Sequence, residues 1–159
     1  MKISDLSPEE LNSFYYDALW WSTAERIRDY LVAGADVNYR GPGYTSPWHN
    51  EPPVYQAIRR EKPDILELLI EYGVDVNVRA KYRETALVYA LHEGMYEMAI
   101  MLIEAGADLS VKDYKSRVPL EIAILDGRPA RAVVKAIIRR LRKRGAFYQR
   151  VKDGKGGCL

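Results

Sequence analysis

Apolar residues along this chain recur at the spacing of short amphipathic helices that are separated by polar turns. From Ile65 to Ile70, and again from Met98 to Ile103, the apolar side chains occupy positions that share one face of a helix. Each predicted helix is too short to bury that face alone, so it needs neighbours stacked against it. The pattern therefore predicts an all-α protein built from stacked helices.

The sequence also repeats itself with a fixed period. One phrase appears at Gly34–Asn38, Gly73–Asn77 and Gly106–Ser110. A second phrase begins at Pro52, Thr85 and Val118, so each copy starts 33 residues after the one before. The first two copies of the first phrase lie 39 residues apart, which places six extra residues between them. A period of this length is typical of solenoids, in which each unit contacts its neighbours.

The two phrases resemble the ankyrin repeat, whose unit opens on Thr-Pro-Leu-His-x-Ala and closes on Gly-Ala-Asp-Val-Asn. The resemblance runs in register from about Ser13 to about Leu141; no copy keeps the His, and the second and fourth keep the Pro as Pro53 and Pro119. It implies an ankyrin-repeat solenoid of four stacked helix-turn-helix units with hairpin loops. We expect repeats at about 8–38, 47–77, 80–110 and 113–144, a six-residue loop insertion within 39–51, and a basic, Gly-rich tail over 145–159.

Both ends of this domain, residues 1–144, carry capping signals. Ser7, Pro8 and Glu10 have the spacing of a helix N-cap with a reciprocal Glu and a Pro at the first helical position. At the other end no closing phrase comes, and the helix that begins near Pro129 is expected to run through Arg144. Its basic stripe is typical of a terminal unit with a polar outer face.

The formal charge of +2 hides an asymmetry along the chain. Residues 1–127 hold 13 Lys or Arg against 21 Asp or Glu, whereas residues 128–159 hold 11 against 1. The two parts therefore carry -8 and +10, which indicates two surfaces with different partners.

The chain offers few groups for catalysis or metal binding. Its histidines are His49 and His92, and its one thiol is Cys158 in a Gly-rich tail. No spacing suggests a nucleophile with an oriented base, four clustered zinc ligands, or a glycine-rich phosphate loop ahead of a helix. We therefore predict a protein that is not an enzyme and that uses no cofactor or metal.

Features that mark export or membrane insertion are missing from the sequence. The first ten residues lack a signal-peptide core, no apolar run approaches the ~20 residues of a membrane span, and one cysteine excludes a disulfide framework. A cytoplasmic protein is expected, although the basic run 139–144 would also suit a nucleus.

The resemblance implies that partner contacts concentrate on hairpin tips and on the exposed ends of the first helices. Those positions are rich in Trp, Tyr and Arg, the residue types that dominate binding hot spots. Because adjacent tryptophans cannot both face inward, we expect one of them buried and one exposed, and His92 on the helix surface. The predicted partner-binding residues are Trp20, Trp21, Tyr44, Trp48, His49, Arg59, Arg60, Tyr82, His92, Tyr114 and Arg117.

Two segments have alternative interpretations. In the inserted loop, Tyr44 and Trp48 either project as binding groups or fold back onto the array. The basic run Arg139, Arg140, Arg142, Lys143 and Arg144 either binds nucleic acid or forms a solubilising cap that complements the helix dipole.

The sequence as a whole favours a non-enzymatic protein-protein interaction module that is monomeric on its own. It would work as an adaptor or as an inhibitor of immunity type, and its acidic body would suit a basic partner protein. The alternative is a nucleic-acid-binding protein that uses the basic C-terminal helix and tail. Fold alone identifies neither the partner nor the pathway.

Overall fold

A computed structural model describes residues 2–41, 50–79, 84–125 and 130–152, with the side chains of the last helix as far as Lys143. A 3-10 helix, Ile3–Asp5, comes first. The α-helices are α1 Pro8–Trp21, α2 Ala24–Val32, α3 Pro53–Arg59, α4 Pro63–Glu71, α5 Ala86–His92, α6 Tyr96–Ala105, α7 Pro119–Leu125 and α8 Arg131–Lys152. Within these ranges the one β feature is an isolated bridge between Arg79 and Thr85.

The helices pack as four pairs, α1 with α2, α3 with α4, α5 with α6 and α7 with α8. The pairs stack so that α1, α3, α5 and α7 form one row and α2, α4, α6 and α8 form a second. This is the predicted solenoid of helix-turn-helix units.

One apolar core runs through the whole stack. The short helix α5 shows why the units must stack, because Leu87, Val88, Ala90 and Leu91 are each 0% exposed. A helix that is apolar on nearly every side has to be covered on every side. Its neighbours α3, α6 and α7 provide that cover.

The helix ends use the capping groups that the sequence indicated. The Glu10 backbone N–H donates to Ser7 Oγ at 3.3 Å, and the Ser7 N–H donates to Glu10 Oε2 at 2.9 Å. Pro8 and Pro63 begin α1 and α4, where a missing N–H is tolerated. Gly106 closes α6 at φ +112, a left-handed conformation that side chains disfavour.

A repeated asparagine bond fixes the spacing of the loops that follow the second-row helices. Asn38 Oδ1 accepts from the Asp75 N–H at 2.8 Å, and Asn77 Oδ1 accepts from the Asp108 N–H at 2.7 Å. Each bond joins one unit to the next. The closing phrase Gly-Ala-Asp-Val-Asn therefore supplies both the helix stop and an inter-unit hydrogen bond.

The last helix is longer than predicted. We expected it to end near Arg144 and a tail to begin at 145, but α8 runs to Lys152. Half of residues 145–152 are good helix formers, namely Ala146, Gln149, Arg150 and Lys152, and the single Gly145 costs only about 1 kcal/mol in a helix interior. Pro129 lies outside the described residues.

None of the helices described has the length and apolar composition that crossing a membrane requires.

Replacing Asn77 with Ala should destabilise the array. The variant removes the acceptor of the Asp108 N–H, and one such bond contributes about 1 kcal/mol to the free energy of unfolding. Urea denaturation measures the change. Lys112→Ala, an exposed position on the following loop, should stay within ~0.5 kcal/mol of the parent protein. Equal effects from both changes would contradict the role of Asn77.

Candidate protein-binding surface

The stack brings the predicted contact positions of all four units into one row. Because α1, α3 and α5 lie side by side, their C-terminal ends are neighbours, and the loop before α7 lies against the end of α5. We call this set the recognition row; its members are Trp20, Trp21, Arg59, Arg60, His92, Tyr114 and Arg117. The predicted residues Tyr44, Trp48, His49 and Tyr82 lie outside the described residues.

The two tryptophans at the end of α1 have different surroundings. Trp21 is 87% exposed, as one of the pair was expected to be. We expected the other tryptophan to be fully buried, but Trp20 is only half-buried. Arg60 from the next unit covers the ring, with its guanidinium carbon 5.3 Å from the ring centroid.

Arg59 is held in place by its own chain. Its Nη2 donates to Glu51 Oε1 at 2.7 Å, and its guanidinium carbon lies 5.8 Å from the ring centroid of Tyr89. The Glu51 backbone is fixed in turn by the Tyr16 hydroxyl, which donates to its carbonyl oxygen at 3.1 Å. Burial raises the pKa of the Tyr89 hydroxyl. Arg59 therefore presents a cation that is positioned by Glu51 and Tyr89.

Asp113 organises the loop ahead of α7. Its side chain is fully buried, and its Oδ1 accepts from the backbone N–H groups of Lys115 and Arg117 at 2.8 Å each. Its Oδ2 accepts from Arg117 Nε at 2.8 Å and lies 2.7 Å from Arg117 Nη2. Burial by itself would raise the pKa of this carboxyl, but the bonds from Arg117 and Lys115 outweigh burial and lower the pKa to about 2.

His92 was expected on the helix surface, and that prediction is wrong. Its side chain is 19% exposed, with Nε2 3.3 Å from Asp113 Oδ2. The loop of the next unit covers the end of α5, and a single helix pattern cannot show such a contact. Tyr114 packs beside the imidazole, at 5.5 Å between ring centroids, and is itself 76% exposed.

Asp113 and Tyr89 are two of the residues around the row that sequence reasoning missed. Asp113 could have been found, because a short acid that opens a turn accepts bonds from the backbone N–H groups that follow it. The positive φ of Ser116, +64, belongs to the same turn. Tyr89 carries no such signal, since its position in α5 looks like any other apolar position.

The basic run divides into two parts. Arg139 pairs with Glu104, and Arg140 Nη1 donates to the carbonyl oxygens of Ile103 and Ala107 at 2.6 Å each. These contacts tie α8 to the C-terminal end of α6, where a cation complements the helix dipole. Arg142 and Lys143 are exposed, and the Arg144 side chain lies beyond those described.

Across the described side chains, no three His, Cys, Asp or Glu residues are grouped in a way that could hold a metal ion.

Comparison with known proteins agrees with this geometry. Residues 19–113 match the family described as ankyrin repeats in three copies. The chain belongs to the ankyrin-repeat family. Ankyrin repeats are generally non-enzymatic protein-protein interaction modules.

The chain is similar to parts of very different proteins. It is 33% identical over 96 residues to an ankyrin repeat protein of Acanthamoeba polyphaga mimivirus, across 58% of this chain and 57% of that protein. It is 33% identical over 135 residues to alpha-latroinsectotoxin-Lt1a of Latrodectus tredecimguttatus, across 84% of this chain and 9% of the toxin. The chain thus spans about half of the viral relative and a small part of the toxin.

Acid should weaken the Asp113 network. Because its pKa lies below the ~3.9 of an unfolded aspartate, the carboxylate stabilises the fold above about pH 4, and this contribution is lost as the pH falls towards about 2. Asp113→Asn should be less stable at neutral pH and should lose less stability over that acid window. Urea midpoints at several pH values measure both effects.

Glu67→Gln is the matched control, since Glu67 is an exposed carboxylate on α4. It should leave the acid-induced loss of the parent protein unchanged. An Asp113→Asn profile parallel to that of the parent would refute the assignment.

Proposed function

We propose that this protein is an adaptor or inhibitor that occupies the surface of a partner protein through the recognition row. The observation that supports this is that the row combines exposed aromatic side chains with arginines that are already paired. Trp21 and Tyr114 are exposed aromatics, Arg59 and Arg117 are held by carboxylates of the same chain, and His92 Nε2 lies 3.3 Å from Asp113 Oδ2. Exposed aromatics on a fixed frame are the usual anchors of a protein interface.

A prearranged row lowers the cost of binding. Ordering a long side chain at an interface costs about 0.5–1.5 kcal/mol. Arg59 and Arg117 already have one geometry in the free protein, because Glu51 and Asp113 bind them. Binding through this row therefore loses less conformational entropy than binding through arginines that have no such partner.

The charge of the repeats supports a basic partner. Residues 1–127 carry a formal charge of -8, which would speed association with a positively charged surface and disfavour acidic ones. An inhibitor of immunity type, directed at a basic target such as a nuclease, is the specific form of this proposal. Stoichiometric inhibition of such a target would identify it.

Changing the two exposed aromatics should abolish partner capture. In a pulldown with the purified protein as bait, a retained protein should be lost with Trp21→Ala and with Tyr114→Ala, because truncating an aromatic hot spot typically costs about 2 kcal/mol or more. Val32→Ala is the control, since Val32 is 71% exposed but lies on α2, outside the row.

The same pulldown separates this function from nucleic-acid binding. Every arm is repeated after nuclease treatment and at raised salt, because binding to phosphates weakens steeply with ionic strength. Retention after both treatments agrees with a protein partner. If capture disappears with nuclease and is insensitive to Trp21→Ala, the proposed function is wrong and the basic C-terminal helix becomes the binding site.

A further inference from the structure

The C-terminal end of the stack exposes a position that inner units bury. Ile58, Leu91 and Ile124 are equivalent, each 33 residues after the last. Ile58 and Leu91 are 0% exposed, whereas Ile124 is 59% exposed. On α8, Ile138 and Leu141 are also exposed, at 39% and 44%. Within the described chain no unit stacks on α7 and α8, so this end presents an apolar face like those that inner units bury.

The N-terminal end shows the complementary feature. Phe14 is in register with Pro53, Ala86 and Pro119, all of which are buried. Phe14 is 40% exposed, and no other first-row helix has a side chain of that size at this position. Phe14, Asp17 and Trp21 are three and seven residues apart, so they lie along one side of α1. The first unit therefore offers an aromatic and acidic side where inner units meet a predecessor.

The two ends carry opposite charge. From Pro8 to Val32 there are five carboxylates and two guanidinium groups, whereas α7 and the described side chains of α8 together hold six basic groups and one acid, Glu121. Arg131, Lys135 and Arg142 are exposed, and none has a carboxylate partner among the described side chains. Exposed basic side chains surround Ile138 on the open surface of α8: Lys135, Arg139, Arg142 and Lys143.

We propose that copies of this chain associate head to tail, with the outer side of α1 in one copy docking on the outer side of α7 and α8 in another. The contact would place Phe14 and Ile124 in the surroundings that their equivalents have inside the stack. Asp17 would meet the basic rim around Ile138. A contact between two C-terminal ends is disfavoured, because it would bring like charges together.

This arrangement replaces the monomer that the sequence suggested with a reversible, concentration-dependent assembly. The contact is heterologous, so each associated copy keeps one free end and further copies can add. The recognition row shares Trp21 with the outer side of α1, but Phe14, Asp17, Ile124 and Ile138, on which the proposed contact depends, lie outside the row, so the proposal does not rest on the proposed function.

Sedimentation velocity on the full chain tests the assembly. The weight-average mass should rise from micromolar to millimolar concentration and should fall when salt is raised from ~0.05 M to ~0.5 M, which shortens the reach of surface charges. A monomer mass at every concentration in low salt would overturn the proposal.

Variants that block one end of the stack at a time test the head-to-tail geometry. The Ile138→Glu variant and the Phe14→Lys, Asp17→Lys double variant should each be monomeric alone. Identical copies can associate head to tail only if both ends of the chain are intact. An equimolar mixture of the two variants should form heterodimers through the ends left intact, and nothing larger. If the Phe14→Lys, Asp17→Lys variant still associates by itself, the contact joins two C-terminal ends and the head-to-tail arrangement is wrong.

Two sets of control variants separate the proposed contact from misfolding and from a general effect of net charge. Lys112→Glu changes the net charge in the same direction as Ile138→Glu but lies on a loop between the ends, so it should still associate. Asp17→Lys and Lys135→Glu replace exposed side chains, which should leave the fold intact. Each should weaken self-association, and mixing them should restore it between the two reversed ends. Failure of that rescue in two folded variants would contradict the pairing.

Discussion

Each helix pair in this protein buries its apolar side chains against the pairs beside it, and the rest of the structure depends on that contact. The first-row helices α3, α5 and α7 have seven residues each, too few to be stable as isolated helices in water. They persist because α5, for example, is covered by α3, α6 and α7. The stability of such an array is the sum of the stabilities of its units and of the interfaces between them. Each interface also fixes the register in which the next unit stacks.

The recognition row follows from that register. Stacking places the end of α5 under the loop of the next unit, where Asp113 meets both His92 and Arg117. The same arrangement sets Arg60 over Trp20 and Arg59 beside Tyr89, across unit boundaries. None of these pairs belongs to one helix. The recognition row therefore depends on how neighbouring units are positioned. A change in the spacing between two units would separate these pairs without altering the structure of either unit.

Each end of the stack lacks one of the contacts that the inner units make. A solenoid buries its inner faces but leaves one face at each end to be made polar or to be covered. Here the basic groups of α8 are partly used inside the molecule, since Arg139 and Arg140 hold α8 on α6. Arg142 and Lys143 remain in solvent beside Ile138. The terminal helix thus fastens the last unit and also leaves an apolar face with a charged rim.

The sequence by itself determined the repeat, because a 33-residue period, helix-stopping glycines and the Ser7 cap are local signals that act wherever they occur. It also predicted the members of the recognition row, since register carries a position from one unit to the next. Tertiary structure decided what those side chains do: that His92 is covered, that Asp113 is the centre of its loop, and that Trp20 rests on Arg60. These outcomes depend on contacts between residues of different units, and the geometry of such a contact exists only once the stack has formed.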